Sequence, residues 1–265
     1  VSTCTATVTV EDNGAPTAIC QDVTISLDAN GNATVTPAQV DNGSFDNIGI
    51  TSMTLSQTDF DCSEIGANTV TLTVEDGAGN TATCTATVTV EDNTAPIVNT
   101  QDVTVTLDAN GDATITMADI NDGSSDNCAI DNMTISETDF DCDDLGANTV
   151  TLTATDDSGN STTETATVTV LDDTNPTAIC QDITVALDDN GNATITGTDI
   201  DGGSTDNCSV ASLVASPNTF TINEIGANTV TLTVTDSSGN VSTCTATVTV
   251  EDNGAPTAIC QDVTI

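Results

Sequence analysis

The heptapeptide GANTVTL returns every 80 residues, at 66–72, 146–152 and 226–232. Its first copy opens the stretch GANTVTLTVEDGAGNTATCTATVTVEDN (66–93), in which apolar residues alternate with threonine on both sides of a glycine-containing turn. Successive side chains of a β-strand point to opposite faces, so Val70 and Leu72 face one side and Thr69 and Thr71 face the other. The stretch therefore predicts a β-hairpin with one apolar face.

The 80-residue period sets the domain organisation that the sequence predicts. Residues 1–25 and 241–265 are identical, which adds a longer period of three repeats and indicates a window onto a longer array. Several short strands in each repeat, with turn sequences between them, predict an all-β fold of tandem immunoglobulin-like β-sandwich domains in a beads-on-a-string rod. We expect the end of one repeat at 1–10, whole repeats at 11–90, 91–170 and 171–250, and the start of another at 251–265.

A second hairpin is predicted earlier in each repeat. In the second repeat DVTVTL (102–107) and ATIT (113–116) flank the turn DANGD, and Asn-Gly is a common pair in tight hairpin turns. The phenylalanines that recur at one repeat position are predicted to lie in the core, and these are Phe60, Phe140 and Phe220.

Composition excludes several classes of function. The 265 residues include 41 Asp and Glu but no Lys, Arg or His, giving a formal net charge of −41. Nucleic-acid phosphates and anionic membranes would repel such a chain. No apolar run reaches the roughly 18 residues that a membrane span needs, so we expect no membrane insertion. Without His, Lys or Tyr as a base, and with aromatic residues at only 2%, we expect no enzymatic activity.

Two cysteine positions in the repeat are filled together or lost together. The second repeat replaces both, with Thr100 and Glu164, as a disulfide between the two positions would require. Each bond would close a loop of about 65 residues, worth about 4 kcal/mol from loop-closure entropy. Cys4 and Cys260 are expected to pair outside this sequence. The predicted bonds are Cys20–Cys84 and Cys180–Cys244.

The other cysteines leave an alternative open. Cys128 and Cys142 of the second repeat are expected to pair, closing a loop of about 15 residues worth about 3 kcal/mol. Cys62 and Cys208 then have no partner in their own repeats. Either they form a cross-link across a domain joint or between chains, or they are free thiols. Ten cysteines in such a chain indicate an oxidising, extracellular setting.

Three acidic segments of each repeat are expected to meet where one domain joins the domain before it. They are the opening EDN or LDD, the loop that contains Asp-Asn, and the turn of the last hairpin. Oxygen ligands from separate segments favour Ca²⁺, although Asp, Asn and Gly are also ordinary turn formers. The candidate metal ligands are Glu11, Asp12, Asp46, Asn47, Asp76, Asn80, Glu91, Asp92, Asp126, Asn127, Asp156, Asn160, Asp172, Asp173, Asp206, Asn207, Asp236 and Asn240.

The segments DNTAP (92–96), DVTVTLDANGDATIT (102–116) and GANTVTLTATDDSGNSTTETATVTV (146–170) together resemble a hyalin-type repeat. The resemblance implies an immunoglobulin-like extracellular module with a cysteine before the first core strand and another in the last strand. The first and third repeats match at both cysteines, and the second departs from the pattern. The acidic array is also similar to the giant surface adhesins of gliding and biofilm-forming bacteria, which implies adhesion or a cell-surface stalk.

Three functions agree with these observations. The first is a structural segment of a long extracellular or cell-surface fibre, whose partners are neighbouring repeats and, through self-association, other filaments. The second is a Ca²⁺-dependent adhesive module that binds a glycan or receptor directly, for which ASLVASPNTFTIN (211–223) is the most divergent surface. The third is a passive acidic coat. Near-identical repeats favour the fibre, because a spacer needs length whereas a ligand site needs only one specialised domain.

Overall fold

A computed structural model describes residues 1–256 and 258–261. The predicted start of a following repeat therefore lies partly outside the described residues, at 257 and 262–265. The chain divides into two compact units. The first unit holds residues 1–100, 121–135 and 151–165, and the second holds 101–120, 136–150 and 166–265.

The chain folds into three similar β-sandwich domains that follow one another along the sequence. Equivalent elements recur at the 80-residue period. In the first repeat they are β1 (Val23–Ser26), β2 (Asn32–Thr34), α1 (Pro37–Val40), β3 (Ile50–Leu55), β4 (Asp59–Asp61), β5 (Gly66–Asp76) and β6 (Thr81–Glu91).

The second and third repeats have the same element order. In the second repeat the elements are β7 (Val103–Thr106), β8 (Ala113–Thr114), α2 (Met117–Ile120), β9 (Ile130–Ile135), β10 (Asp139–Phe140), β11 (Gly146–Asp156) and β12 (Ser161–Leu171). In the third repeat they are β13 (Ile183–Ala186), β14 (Asn192–Thr194), α3 (Gly197–Ile200), β15 (Val210–Ser216), β16 (Thr219–Thr221), β17 (Gly226–Asp236) and β18 (Val241–Glu251). A 3-10 turn precedes the long hairpin of each repeat, at Cys62–Glu64, Cys142–Asp144 and Ile222–Glu224.

Each repeat has one four-stranded and one two-stranded sheet. The first repeat has the strand orders β1-β6-β5-β3 and β2-β4. The predicted hairpin forms the centre of the larger sheet, because β5 and β6 pair antiparallel from Gly66 opposite Val90 to Glu75 opposite Thr81. Strand β1 runs parallel to β6 at the edge of that sheet. The third repeat has the same arrangement, with orders β13-β18-β17-β15 and β14-β16.

The core lies on the apolar face that the alternation predicted. Val70, Leu72 and Val74 of β5 are all 0% exposed. The recurring phenylalanines are buried as expected, at 2% for Phe60. In contrast Phe45, which does not recur, is 59% exposed. Among the described residues, no helix is long and apolar enough to cross a membrane.

The predicted early hairpin is wrong. Its two strands diverge into different sheets, because β1 pairs with β6 and β2 pairs with β4. In the second repeat β7 likewise pairs with β12, and β8 pairs with β10. The Asn-Gly segment turns the chain tightly, but the apolar residues on each side belong to opposite layers of the sandwich. Turn chemistry alone therefore did not identify the strand partners.

We predict that Leu72→Ala lowers the free energy of unfolding of the first repeat by about 2–5 kcal/mol, since the side chain is fully buried. Val241→Ala, at a site that is 47% exposed, should cost less than about 0.5 kcal/mol. Urea unfolding followed by circular dichroism measures both changes. Equal effects would contradict the assigned core.

Candidate metal centres and covalent joints

Aspartates from the three predicted segments meet at equivalent places in every repeat. In the second repeat Asp92 follows β6, Asp126 precedes β9, and Asp156 ends β11. One carboxylate oxygen from each lies within 4.8 Å of the others. We define three acidic clusters: the first is Asp12, Asp46 and Asp76, the second is Asp92, Asp126 and Asp156, and the third is Asp172, Asp206 and Asp236.

The hairpin turn fixes one member of each cluster. In the second repeat Oδ1 of Asp156 accepts a hydrogen bond from the backbone N–H of Asn160 at 2.8 Å. The Nδ2 of Asn160 donates to Oδ2 of Asp156 at 2.8 Å and to the carbonyl oxygen of Asp92 at 3.0 Å. Through these hydrogen bonds, Asn160 connects the hairpin turn to the opening segment of the repeat. Asn80 and Asn240 make the equivalent bonds in the other repeats.

At the second and third clusters, another asparagine connects the cluster to the preceding repeat. The Nδ2 of Asn127 donates to Oδ1 of Asp92 at 3.1 Å and to the carbonyl oxygen of Asp28 at 3.2 Å. Asn207 makes the corresponding bonds to Asp172 and Asp108, both at 3.2 Å. The turn of one repeat is therefore in direct contact with the cluster loop of the next.

Several oxygens around the clusters are buried but accept no hydrogen bond. In the second cluster these atoms are Oδ2 of Asp92, Oδ1 of Asp126 and, beside them, Oδ1 of Asn127. Asp92 as a whole is only 5% exposed. A buried polar atom without a partner costs free energy, and a buried charge costs more. The first cluster contributes Oδ2 of Asp12 to the same set, and Asp206 and Asn207 contribute their Oδ1 atoms near the third.

Not every predicted ligand reaches a cluster. Glu11, Glu91 and Asp173 lie outside the three groups and are exposed. The carboxylate of Glu91 accepts a hydrogen bond from Nδ2 of Asn93 at 3.3 Å. Each of these residues is next to an aspartate of a cluster in sequence, but its own side chain is exposed.

The clusters fit a hard divalent cation. All identified donors are oxygens, and no Lys, Arg or His exists in the chain to neutralise them. Two oxygens on opposite sides of Ca²⁺ are about 4.6–5.2 Å apart, compared with about 4.0–4.2 Å for Mg²⁺. Carboxylate oxygens within 4.8 Å of one another are thus close enough to contact one Ca²⁺ ion together.

Four disulfides cross-link the part of the chain that the structure describes. Cys20–Cys84 and Cys180–Cys244 each join residues of one repeat, 64 positions apart. Cys62–Cys128 and Cys142–Cys208 each join residues 66 positions apart in adjacent repeats. The free cysteines of the described residues are Cys4 and Cys260, both exposed.

The predicted Cys128–Cys142 bond is wrong. Cys128 belongs to the first compact unit and bonds to Cys62, whereas Cys142 belongs to the second and bonds to Cys208. Cys62 and Cys208 do cross-link repeats within one chain, but to these two partners and not to each other. The prediction assumed that cysteines of one repeat pair with each other. Contact between neighbouring repeats instead places each of them beside a cysteine of the adjacent repeat.

The turn after β1, interpreted from sequence only as a hairpin turn, proves to be a contact surface. Oδ1 of Asp28 accepts hydrogen bonds from the backbone N–H groups of Asn32 at 3.0 Å and Asn30 at 2.8 Å. These two bonds lower the pKa of Asp28 below its ordinary value, and the bond from Asn32 has the larger effect. The stabilisation of the folded state by these bonds is present at neutral pH and is lost as the pH falls through the lowered pKa of Asp28.

A glycine in this turn allows the joint to close. Gly31 has φ +75°, and a Cβ there would lie 2.6 Å from Sγ of Cys62 and 2.7 Å from the carbonyl oxygen of Asn127. Gly111 is in the same position at the next joint, 2.8 Å from Sγ of Cys142 and 2.9 Å from the carbonyl oxygen of Asn207. Any larger residue would separate the turn from the following loop.

Comparison with known proteins finds solved structures of cadherin, protocadherin and titin domains among the matches. No protein-family model matches the sequence, and no curated protein matches it either. Mouse cadherin-23 repeats EC22–24 are 15% identical, with 91% of this chain and 100% of that chain covered and a TM-score of 0.38. Titin domains I67–I69 are 10% identical over 90% and 99%, with a TM-score of 0.41. Protocadherin gamma B7 domains 1–4 are 17% identical over 90% and 76%, with a TM-score of 0.34.

The disulfide assignment predicts a specific peptide map. Because the chain contains no Lys or Arg, cleavage at Asp and Glu under non-reducing conditions is required. We expect linked peptides containing Cys62 with Cys128 and Cys142 with Cys208. A linked peptide containing Cys128 with Cys142 would contradict the structure.

Gly111→Ala should destabilise the joint more than Gly123→Ala. Both glycines have positive φ, +85° and +76°, so both substitutions carry a similar backbone cost of about 1–2 kcal/mol. A Cβ at Gly123 meets nothing within 4 Å, whereas one at Gly111 clashes with Cys142 and Asn207. Thermal unfolding of the two variants measures the difference, and equal midpoints would disprove the close approach.

Proposed function

We propose that this chain is a structural segment of a long extracellular or cell-surface fibre, in which Ca²⁺ held by the acidic clusters joins successive repeats. The observation that carries the proposal is the recurrence of three aspartates within 4.8 Å, with buried oxygens that have no other partner. A cation at these places would bind the loop of one repeat at its contact with the previous one. Metal binding would thereby set the geometry of the joint.

The covalent chemistry supports an extracellular location. Disulfides persist in oxidising compartments and are rare in reducing ones. Two of the four bonds join neighbouring repeats, each closing a loop worth about 4 kcal/mol from loop-closure entropy. Cross-links between neighbouring domains suit a structure that transmits tension along its length.

The repeat pattern supports a structural role. The domains of the proposed fibre are the repeats 11–90, 91–170 and 171–250, each with the same strand order. The resemblance to hyalin-type repeats and to bacterial surface adhesins agrees with a stalk of this kind. Clusters and turn contacts recur with the domains, so that each added repeat would add another equivalent joint.

At the joint between the first and second repeats, the proposed ligands are the carboxylates of the second cluster, with Oδ1 of Asn127 as an adjacent ligand atom. Bare carboxylates about 4.8 Å apart repel by about 3–4 kcal/mol per pair at an effective dielectric constant near 20. A ligand that binds only the folded state stabilises it by about 2.7 kcal/mol at 100 times its Kd. Ca²⁺ binding would therefore offset the repulsion between the carboxylates and also stabilise the folded state.

We predict that Asp126→Asn separates these two effects. The substitution keeps an acceptor for the N–H of Cys128, which bonds to Oδ2 of Asp126 at 3.0 Å, but removes one charge from the second cluster. In EGTA the variant should unfold at the same or a higher temperature than the parent. In Ca²⁺ it should lose the part of the midpoint rise that comes from that joint. Differential scanning calorimetry at constant ionic strength measures both.

Asp131→Asn is the matched control, because Asp131 is an exposed residue of the same repeat outside the cluster. It makes the same change in net charge and should leave the Ca²⁺-dependent rise intact. If Ca²⁺ raised the midpoint of the parent no more than an equal ionic strength of NaCl, the proposed metal sites would be refuted.

A further inference from the structure

The disulfides of the described residues overlap in pairs along the chain. In each pair the second bond begins before the first has closed, so that one stretch of backbone lies inside both loops. The pairs are Cys20–Cys84 with Cys62–Cys128, and Cys142–Cys208 with Cys180–Cys244. A pulling force can therefore pass from one bond to the next through the shared stretch and bypass the rest of each loop.

These bonds define a shortest covalent route along the chain, which we call the covalent route. From Cys20 the route crosses to Cys84 and returns along the backbone to Cys62. A second crossing reaches Cys128, and the backbone then leads to Cys142. When the chain is pulled taut, tension follows this route, and the longer parallel stretches of backbone stay slack.

The covalent route continues in the same way through the third repeat. From Cys142 it crosses to Cys208, returns to Cys180 and crosses to Cys244. Its three backbone stretches contain about 22, 14 and 28 residues, whereas the backbone from Cys20 to Cys244 contains about 224. At about 3.3–3.6 Å per residue and about 6 Å per disulfide, the extended route measures about 230–250 Å instead of about 740–810 Å.

The second repeat depends on its neighbours for this restraint. No disulfide closes within residues 91–170, all of which the structure describes, and Thr100 and Glu164 occupy the positions of the internal bond. Both joint disulfides nevertheless end in this repeat, at Cys128 and Cys142. Only the backbone between these two cysteines, about 14 residues, lies on the covalent route. The bonds to the adjacent repeats therefore keep the rest of this domain out of the path of tension.

Residues 129–141, which we call the yielding segment, are weakly held. The segment contains β9, which pairs with β11, and β10, which pairs with β8. Its one buried side chain is Phe140, at 4% exposed. The corresponding stretch of the first repeat contains Val70, Leu72 and Val74, all 0% exposed. Because less apolar surface must leave the core, the yielding segment should detach at a lower force.

We propose that the overlapping disulfides limit how far the fibre can be stretched, and that the yielding segment is the first part to open under tension. The second repeat lengthens by one short step, after which the covalent route is taut and strands β11 and β12 lie outside it. This function extends the proposed fibre role, but it rests on the disulfides and on burial and needs no bound Ca²⁺.

Single-molecule force spectroscopy on the full chain tests the limit. Pulling handles are attached through thioether bonds to Cys4 and Cys260, which are exposed free cysteines. With its disulfides intact, the chain should open in steps of no more than about 100 Å of contour length, the first of no more than about 50 Å. Dithiothreitol, added to the same molecule, should then lengthen it by about 500–550 Å.

Two variants separate the joint bonds from the internal bonds. The joint variant carries Cys62→Ser, Cys128→Ser, Cys142→Ser and Cys208→Ser, and the internal variant carries Cys20→Ser, Cys84→Ser, Cys180→Ser and Cys244→Ser. In the joint variant the whole second repeat is exposed to tension, so that a step of more than about 200 Å should appear. The internal variant should keep a step of no more than about 50 Å. The longest routes of the two variants are similar, at about 96 and 92 residues, which makes them matched controls.

A point substitution tests which part opens first. Phe140→Ala should lower the force of the shortest step without changing its length. Phe60→Ala is the matched control, because Phe60 holds the same repeat position, is 2% exposed and lies off the covalent route. It should leave the force of the shortest step unchanged.

A step longer than about 100 Å from the unreduced parent, or no lengthening on reduction, would overturn the proposal. An equal effect of the two phenylalanine substitutions would overturn the assignment of the yielding segment. The same measurements in EGTA and in Ca²⁺ keep this proposal apart from the metal sites. Bound Ca²⁺ changes the force needed to open a joint but not these lengths, so that forces independent of Ca²⁺ would count against the metal sites alone.

Discussion

The close approach of three aspartates is the constraint on which the joints depend. Each cluster brings carboxylates within 4.8 Å in a chain with no basic side chain. The fold does not relieve this repulsion with salt bridges, and it leaves oxygens such as Oδ2 of Asp92 without a donor. The surrounding hydrogen bonds hold the carboxylates together. Such an arrangement is unfavourable by itself, and the proposed cation would make it favourable.

The contact between repeats combines a tight turn, a glycine, an asparagine and a disulfide. The Asn-Gly turn of one repeat offers a backbone carbonyl and a glycine without a side chain, and the next repeat inserts an asparagine and a cysteine against them. The disulfide fixes the distance, and the asparagine joins the turn to the acidic cluster.

Much of the fold was predictable from sequence because alternation of apolar residues and threonine identifies a strand and its buried face. Val70, Leu72 and the recurring phenylalanines are buried as that pattern requires. The early hairpin was not predictable, because local turn chemistry carries no information on which sheet receives each strand. The aspartates of the clusters were all among the predicted ligands, while the neighbouring Glu11, Glu91 and Asp173 are exposed and lie outside the clusters.

The pairing of cysteines across joints left a signal in the sequence that we interpreted wrongly. Cysteines at the two joint positions occur together in adjacent repeats, and isoleucines replace both where one is missing. That pattern indicates contact between repeats, but the assumption that cysteines of one repeat pair with each other led to Cys128–Cys142. The contact surface of the Asn-Gly turn had no comparable signal, since its glycine is also what an ordinary tight turn requires.

Direct measurement of Ca²⁺ stoichiometry tests the central claim. Equilibrium dialysis at fixed ionic strength should find saturable binding of Ca²⁺ that includes one tightly bound ion at each of the second and third clusters. A variant with both Asp126→Asn and Asp206→Asn should lose this saturable binding while keeping its disulfides. Binding that never saturates, or that is unchanged in the variant, would mean that the charge acts only as a diffuse ion atmosphere and that the joints hold no metal.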